Sequence, residues 1–288
     1  MKASFVNRTI GRGITGNIFE LIAVGNELLI GKTLNTNIHW IAGEVTKLGG
    51  FVRRATVVRD DLNEISNALR NALRRKSDWI IVTGGLGPTF DDMTLQGVAI
   101  ALNRKLVVNS NGLKYLKRSY ERFRAQGVLK SYALTKERKK MVMMPERSKA
   151  LANSVGTAPG VMVQAGKSLV ICLPGVPAEM EAIMEESVIP EISKKIGSHY
   201  FCEGILEVSN VIESNIAPFI REVMASNPSA YIKSHPRGIV KGASRIDLSI
   251  TTTAPNKSAA QKIIKKTLDQ MEQKVKKIGG IILSKKIS

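Results

Sequence analysis

The chain has 288 residues, 43% of them hydrophobic, and its 43 Lys and Arg exceed its 24 Asp and Glu to give a formal net charge of +19. This size and composition can fill one large or two ordinary hydrophobic cores, which excludes a small protein that depends on disulfide or metal staples. Both cysteines lie in apolar stretches, which argues against a disulfide framework. Glycines and charges interrupt every apolar run before the roughly 20 residues that cross a bilayer. We therefore expect a cytoplasmic protein without a membrane span.

The first predicted elements alternate between strand and helix. The apolar stretch 18–24 predicts a strand, the amphipathic segment 36–48 a helix, and 51–58 a second strand. Helical spacing follows at 62–75, and WIIVT at 79–83 is typical of a buried strand. This βαβαβ order predicts an α/β fold with a mainly parallel sheet, whose ligands bind at the carboxyl ends of the strands.

The later pattern divides the chain into domains. Further helices are expected near 110–126 and 177–193, with strands near 161–164 and 168–173. After Pro190 the pattern changes to α+β, with strands at 201–209, 229–234 and 244–252 and helices at 212–225 and 257–278. We predict a basic N-terminal arm at 1–17, an α/β domain at 18–193, and a small α+β domain with a basic tail at 199–288.

The motif TGGLGPTFDDMT at 83–94 directly follows the buried strand and leads into a predicted helix. Gly84, Gly85 and Gly87 allow close backbone approach, so that amide groups can point at an anion. The helix N-terminus, with the hydroxyl groups of Thr83 and Thr89, favours a phosphate. The alternative for this segment is an ordinary turn between a strand and a helix.

Two pairs of neighbouring aspartates lie at the ends of predicted loops. Asp91 and Asp92 close the glycine motif, and Asp60 and Asp61 precede the helix at 62–75. Carboxylate oxygens are the ligands that Mg²⁺ prefers, but an aspartate before a helix is also a natural N-cap. The sequence leaves both roles open for the first pair and favours the cap for Asp61.

Two further motifs place polar residues at predicted strand ends. GNELLIGKTLNTN at 25–37 supplies Glu27 directly after the first strand. LPGVPAEM at 173–180 puts Gly175 in a turn onto a helix whose first turn holds Glu179. That arrangement suits either capping or the binding of polar ligand groups.

The excess positive charge is concentrated at 101–150 and 251–288, and such a field attracts nucleic acid, membranes or phosphorylated metabolites. Arg138, Lys139 and Lys140 can reach an anionic substrate, although exposure to solvent is the more ordinary role of such a run. The second predicted domain lacks a GxxG loop between helices, and aromatic residues are only 5% of the chain. The sequence therefore disfavours nucleic acid as a partner.

The motifs above, together with VVRDD at 57–61 and NSVGTAPG at 153–160, occur in an order and spacing that resemble the CinA family, part of the molybdopterin-binding MoaB/Mog superfamily. The segments 213–223 and 231–238 are similar to the small second domain of CinA proteins, described as KH-like. The resemblance implies a three-layer α/β/α first domain. It does not extend to the C-terminal amide-hydrolysing domain of full-length CinA proteins, so deamidation is not implied.

The resemblance also implies roles for particular residues. It implies that Asp92 and Asp60 are catalytic. It also implies that Asp91 and Asp92 bind a divalent metal, which we expect to be Mg²⁺. The implied phosphate- and nucleotide-binding residues are Thr83, Gly84, Gly85, Gly87, Thr89, Glu27 and Gly175.

The activity that the resemblance implies is divalent-metal-dependent cleavage of the pyrophosphate in ADP-ribose or a related nucleotide. One alternative is an adenylyltransferase that joins AMP to molybdopterin, and another is a non-catalytic nucleotide- or RNA-binding protein. The choice of substrate distinguishes the two enzymes, and steep salt dependence of RNA binding would favour the third. The expected partner is a phosphorylated, nucleotide-like small molecule, and the family suggests a homo-oligomer, either a dimer or a trimer.

Overall fold

The computed structural model of the chain describes residues 17–131, 133–197, 199–240 and 242–288, so nearly all of the predicted N-terminal arm lies outside the described residues. The described chain forms two compact units. The larger unit comprises residues 17–46 and 50–196, and the smaller unit comprises residues 47–49 and 197–288. Among the described residues, no helix is long and apolar enough to cross a membrane.

The larger unit contains a six-stranded sheet in the order β2-β1-β3-β8-β7-β6. The first four strands in this order are parallel, and β7 and β6 run antiparallel to their neighbours. The mainly parallel α/β sheet predicted from the alternating pattern is therefore confirmed. The six strands are β1 (Ile18–Val24), β2 (Phe51–Val58), β3 (Trp79–Thr83), β6 (Lys149–Leu151), β7 (Gly160–Ala165) and β8 (Ser168–Leu173); β4 (Leu106–Val108) and β5 (Met143–Pro145) form a separate ribbon.

Helices flank this sheet. They are α1 (Asn26–Leu29), α2 (Thr36–Lys47), α3 (Leu62–Arg74), α4 (Thr94–Leu102), α5 (Ser110–Ala125), α6 (Lys136–Lys140), α7 (Pro177–Ile183) and α8 (Ile189–Ile196). The helix predicted at 177–193 is interrupted by a π-helical turn at Met184–Val188, which separates α7 from α8.

The two faces of the sheet have separate cores, because successive strand side chains point to opposite sides. On one face Ile22 of β1 and Ile80 of β3 join Ile65 of α3. On the other face Phe19 stacks on Trp79 with ring centroids 5.5 Å apart. Both faces are thus buried, as expected for a parallel sheet covered by helices.

The register places three strand ends at one edge of the sheet. Thr83, the last residue of β3, pairs with Ala23 of β1 and with Leu173 of β8. The loops that follow β1, β3 and β8 therefore begin side by side. The polar motifs of the sequence occupy these loops, so the topology brings them to a common edge.

The smaller unit has the element order βαββαβ and a four-stranded antiparallel sheet in the order β10-β11-β9-β12. This is the ferredoxin-like, split β-α-β arrangement, and the KH-like resemblance stays a prediction. The predicted basic tail ends in a strand, β12, which pairs with β9. The elements are β9 (Tyr200–Ser209), α9 (Glu213–Ser226), β10 (Ala230–Val240), β11 (Ala243–Ala254), α10 (Lys257–Lys277) and β12 (Ile281–Ile287).

Candidate functional site

A cleft of about 370 Å³ lies at the carboxyl edge of the parallel sheet in the larger unit. The loops after β1, β2, β3 and β8 form most of it, and the loop before β7 completes it. A cleft at this edge is the expected ligand site of an open α/β sheet. Its lining residues are Val24, Gly25, Glu27, Asp60, Gly84, Gly85, Leu86, Gly87, Pro88, Thr89, Asp91, Asp92, Met141, Thr157, Ala158, Pro174, Gly175, Val176 and Glu179.

The glycine motif is packed tightly against the end of β1. Gly84 has a φ of +96°, and a Cβ on this residue would lie 2.1 Å from the carbonyl oxygen of Val24. Its amide donates to Leu173 O at 3.0 Å, and Thr94 donates its hydroxyl to Gly84 O at 2.7 Å. The loop is thereby held between β1, β8 and the start of α4, and only glycine fits at position 84.

Three consecutive amides of this loop are available to a ligand. The N–H groups of Gly85, Leu86 and Gly87 donate no hydrogen bond to any part of the chain that the structure describes, and all three residues line the cleft. Backbone amides that lack a partner bind anions well. The binding of a phosphate by the glycine motif stays a prediction.

Thr89 organises the acidic end of the loop. Its backbone N–H donates to Asp92 Oδ2 at 2.8 Å, and its hydroxyl lies 2.5 Å from both Asp92 Oδ2 and Asp91 Oδ1. The hydrogen bond from Thr89 lowers the pKa of Asp91. Neither aspartate caps α4, because the residue before this helix is Met93 and no side chain caps it. One oxygen of each carboxylate is left free of these contacts.

The second aspartate pair separates into two roles. Asp61 caps α3, since its side chain accepts from Asn63 N and Glu64 N, both at 2.9 Å. Asp60 lines the cleft and accepts a hydrogen bond from Asn26 N at 2.8 Å. Burial raises the pKa of Asp60, and the nearby negative charges of Glu27 and Asp91 add to this increase.

Glu179 also lines the cleft. The sequence leaves capping and ligand binding both open for this part of α7, and no side chain caps the helix. The Glu179 carboxylate accepts a 2.5 Å hydrogen bond from Asn153, and burial raises its pKa. Asn153 also holds its own loop, because it donates to Ala158 O and accepts from Gly156 N. Arg122 of α5 donates to Gly156 O at 3.0 Å, so this basic side chain holds the same loop without lining the cleft.

The charged groups of the lining are all acidic. Five carboxylates and no Lys or Arg occur among the lining residues, although the whole chain has a net charge of +19. No group of three or more His, Cys, Asp or Glu is arranged to hold a metal ion in the described ranges. Mg²⁺ commonly uses only one or two carboxylates and takes its other ligands from water and substrate phosphates. The lining supplies carboxylate oxygens of the kind that Mg²⁺ binds.

Nine of the ten predicted site residues line the cleft. They are Glu27, Asp60, Gly84, Gly85, Gly87, Thr89, Asp91, Asp92 and Gly175. The tenth, Thr83, is buried at the end of β3 and does not line it. Its side chain points to the same face of the sheet as Trp79, because side chains alternate along a strand.

The comparisons with known proteins agree with this geometry. A family model described as "Probable molybdopterin binding domain" matches residues 20–194. A protein of Pyrobaculum arsenaticum is 43% identical over 264 residues, which is 92% of this chain and 97% of that relative. A protein of Aeropyrum pernix is 39% identical over 262 residues, 91% of this chain and 95% of the relative.

One solved structure is similar in both sequence and fold. The crystal structure of CinA from Thermoplasma acidophilum, a protein of unknown function, is 41% identical, with a TM-score of 0.54, and the match covers 62% of this chain and 99% of that one. The CinA resemblance seen in the sequence is thereby confirmed. The chain belongs to the family of probable molybdopterin-binding domains, with a CinA-like domain at residues 20–194.

Proposed function

We propose that the cleft binds the divalent-metal complex of a pyrophosphate-containing nucleotide, such as ADP-ribose, and hydrolyses its pyrophosphate bond. One observation carries this proposal: Gly85, Leu86 and Gly87, whose amides have no hydrogen-bond partner among the described residues, line a cleft whose charged lining groups are all carboxylates. The amides favour an anion, whereas the carboxylates repel one. A phosphate ligand accompanied by a cation satisfies both.

The size of the repulsion makes the cation necessary. Two unit charges 4 Å apart interact by about 4 kcal/mol at the effective dielectric constant of a protein surface. A pyrophosphate without a cation would be repelled in this way by several carboxylates. Hydrogen bonds from the amides to a charged phosphate contribute about 1.5–3 kcal/mol each, which does not offset that repulsion. We therefore expect binding to require a divalent cation, with Mg²⁺ as the leading candidate.

The residues then have distinct roles in the hydrolysis. Asp91 and Asp92 would hold the cation, which polarises the phosphoryl group when bound. The amides of Gly85 and Gly87 bind the phosphoryl oxygens and stabilise the charge that develops on them. Asp60 orients the attacking water and accepts its proton, and the raised pKa of Asp60 makes it a stronger base than an ordinary aspartate.

The bonds balance as in any pyrophosphate hydrolysis. The water oxygen forms a new bond to one phosphorus while the bond from that phosphorus to the bridging oxygen breaks. ADP-ribose would thus yield AMP and ribose 5-phosphate.

The family assignment favours a second candidate, adenylyl transfer to molybdopterin. In that reaction a phosphate oxygen of molybdopterin, rather than water, would attack the α-phosphorus of ATP. The bond from that phosphorus to the bridging oxygen would break and release pyrophosphate. The same amides and aspartates would serve both reactions, so the identity of the acceptor separates them.

Product analysis tests these alternatives. Purified protein is incubated with ADP-ribose in Mg²⁺ and in EDTA, and in parallel with ATP and molybdopterin. Asp92→Asn and Asp60→Asn are compared with the matched control Asp61→Asn, which changes a neighbouring aspartate outside the cleft. AMP and ribose 5-phosphate that need Mg²⁺ and disappear in the first two variants would support hydrolysis. Adenylated molybdopterin without these products would support the transferase, and neither product would overturn both.

A further inference from the structure

A second, smaller cavity of about 60 Å³ also borders the glycine loop. It shares Gly85, Leu86, Gly87 and Asp92 with the cleft, so the two spaces adjoin at the loop. Its volume exceeds the roughly 10–15 Å³ that a single water needs. In contrast to the cleft, its lining includes a basic side chain, that of Lys140.

Lys140 contacts the loop directly. Its Nζ donates a hydrogen bond to the backbone oxygen of Thr89, and its charge contributes to the lowered pKa of Asp91. A lysine ammonium has three protons, and this contact uses one of them. Lys140 lines the same cavity as Gly85 and Gly87, so an anion bound there would lie beside both the ammonium group and these amides.

The position of Lys140 is fixed by the residues that follow it. Met141 and Val142 are buried in the core of the larger unit and anchor the end of α6. Lys136 and Lys139, on the same short helix, are exposed. The loop motif TGGLGPTFDD has no basic residue of its own, so Lys140 brings to it a positive charge from a distant part of the chain.

We propose that Lys140 binds one phosphoryl group of the pyrophosphate while the divalent cation in the acidic cleft neutralises the other. This inference rests on the proposed function and specifies its substrate class: a ligand with two adjacent phosphoryl groups that lie across the Gly85–Gly87 amides. A ligand with a single phosphoryl group binds the cation in the cleft and has no second phosphoryl group for Lys140 to bind. Lys140 thereby selects for the pyrophosphate unit.

Calorimetric titration with ADP and with AMP, both in Mg²⁺, tests this selection. The proteins are wild type, Lys140→Met, Lys140→Arg and the matched control Lys139→Met. Methionine keeps the apolar stem and removes the charge. We expect Lys140→Met to weaken ADP binding at least tenfold and AMP binding less than twofold, Lys140→Arg to restore part of the ADP affinity, and Lys139→Met to change neither.

The comparison of the two ligands separates binding from a structural role. If Lys140 only held the loop through Thr89, ADP and AMP would lose affinity equally, and that result would overturn the inference. Unchanged ADP affinity in Lys140→Met would also overturn it, while leaving the proposed function intact if the wild type hydrolyses ADP-ribose. A wild type that binds neither nucleotide and hydrolyses no ADP-ribose would overturn both.

Discussion

The carboxyl group of Glu179 occupies the space next to Gly156 where a side chain would begin. A Cβ built on Gly156 would lie 2.0 Å from Cδ of Glu179. Asn153 and Arg122 also bind the backbone of Gly156, so Glu179 packs against a loop that is held in place. The position of the Glu179 side chain in the proposed site therefore depends on residue 156 being glycine.

Gly156→Ala should displace Glu179 and break its hydrogen bond with Asn153. The clash is with the end of a flexible side chain, so the cost is that of the lost hydrogen bond, about 1 kcal/mol. We expect the free energy of unfolding to fall by about that amount and turnover of ADP-ribose to be reduced. Both tryptophans, Trp40 and Trp79, lie in the larger unit, so urea unfolding followed by tryptophan fluorescence reports on it. Wild-type stability and turnover in Gly156→Ala would contradict the described contact.

Gly43→Ala should stabilise the larger unit, in contrast to Gly156→Ala. Gly43 lies inside α2, and a Cβ there would have nothing within 4 Å. Alanine is favoured over glycine in a helix interior by about 1 kcal/mol, so we expect the free energy of unfolding to increase by up to that amount with turnover unchanged. A loss of stability measured by the same fluorescence assay would show that the position is not open.

Asp60→Asn should separate stability from activity. Burial and the charges of Glu27 and Asp91 raise the pKa of Asp60, which means that its ionised form is disfavoured in the folded protein. Asparagine keeps an oxygen that can accept the hydrogen bond from Asn26 and removes the charge. We expect a melting temperature equal to or above that of the wild type, with turnover abolished. A marked drop in melting temperature would instead indicate that the carboxylate has a structural role.

The location of the site could be predicted from the sequence because it follows from chain connectivity. Glu27, Asp60 and the glycine motif each come directly after a strand of a parallel βαβ pattern, and parallel strands bring such loops to one edge. The capping role of Asp61 was also evident, since an aspartate directly before a helical pattern is a local signal. In each case the informative residues are neighbours in the sequence.

The contacts of the site that the sequence did not reveal join residues from distant segments. Lys140 and Thr89 are 51 residues apart, and Asn153 and Glu179 are 26 apart. Nothing in the local pattern of a basic run distinguishes a lysine that turns inward from its exposed neighbours. The strand β12 was missed for a related reason: its lysines resemble a solvated tail, although Lys285 pairs with Asp269 and Glu272 of α10.

Asp61→Ala should destabilise the larger unit without affecting the site. Loss of an N-cap aspartate typically costs about 1 kcal/mol, and the side chain of Asp61 does not line the cleft. We expect the urea midpoint of the tryptophan transition to fall while turnover of ADP-ribose per folded molecule stays at the wild-type value. A selective loss of turnover would show that Asp61 takes part in binding or catalysis.

Arg75→Met should produce a loss of stability that depends on pH. Glu20 is buried in β1, and Arg75 binds both of its oxygens at 2.7 and 2.5 Å, while Ser77 donates to it at 2.8 Å. Burial alone would raise the pKa of Glu20, but the hydrogen bonds from Arg75 and Ser77 and the nearby positive charges outweigh it, so the pKa lies below its usual value of 4.5. A carboxylate with a lowered pKa stabilises the fold above pH 4.5, and this contribution is lost as the pH falls below that value.

Removal of Arg75 leaves Glu20 buried without its cation, which should cost about 2 kcal/mol or more at pH 7. The difference in free energy of unfolding between wild type and variant should shrink as the pH is lowered toward 4, because a protonated Glu20 no longer needs the cation. Arg74→Met is the matched control, since Arg74 is exposed and its side chain donates a hydrogen bond only to Asn71 among the described residues. Urea unfolding at pH 7, 5.5 and 4 measures all three proteins, and a difference that is independent of pH would show that the ion pair does not cause it.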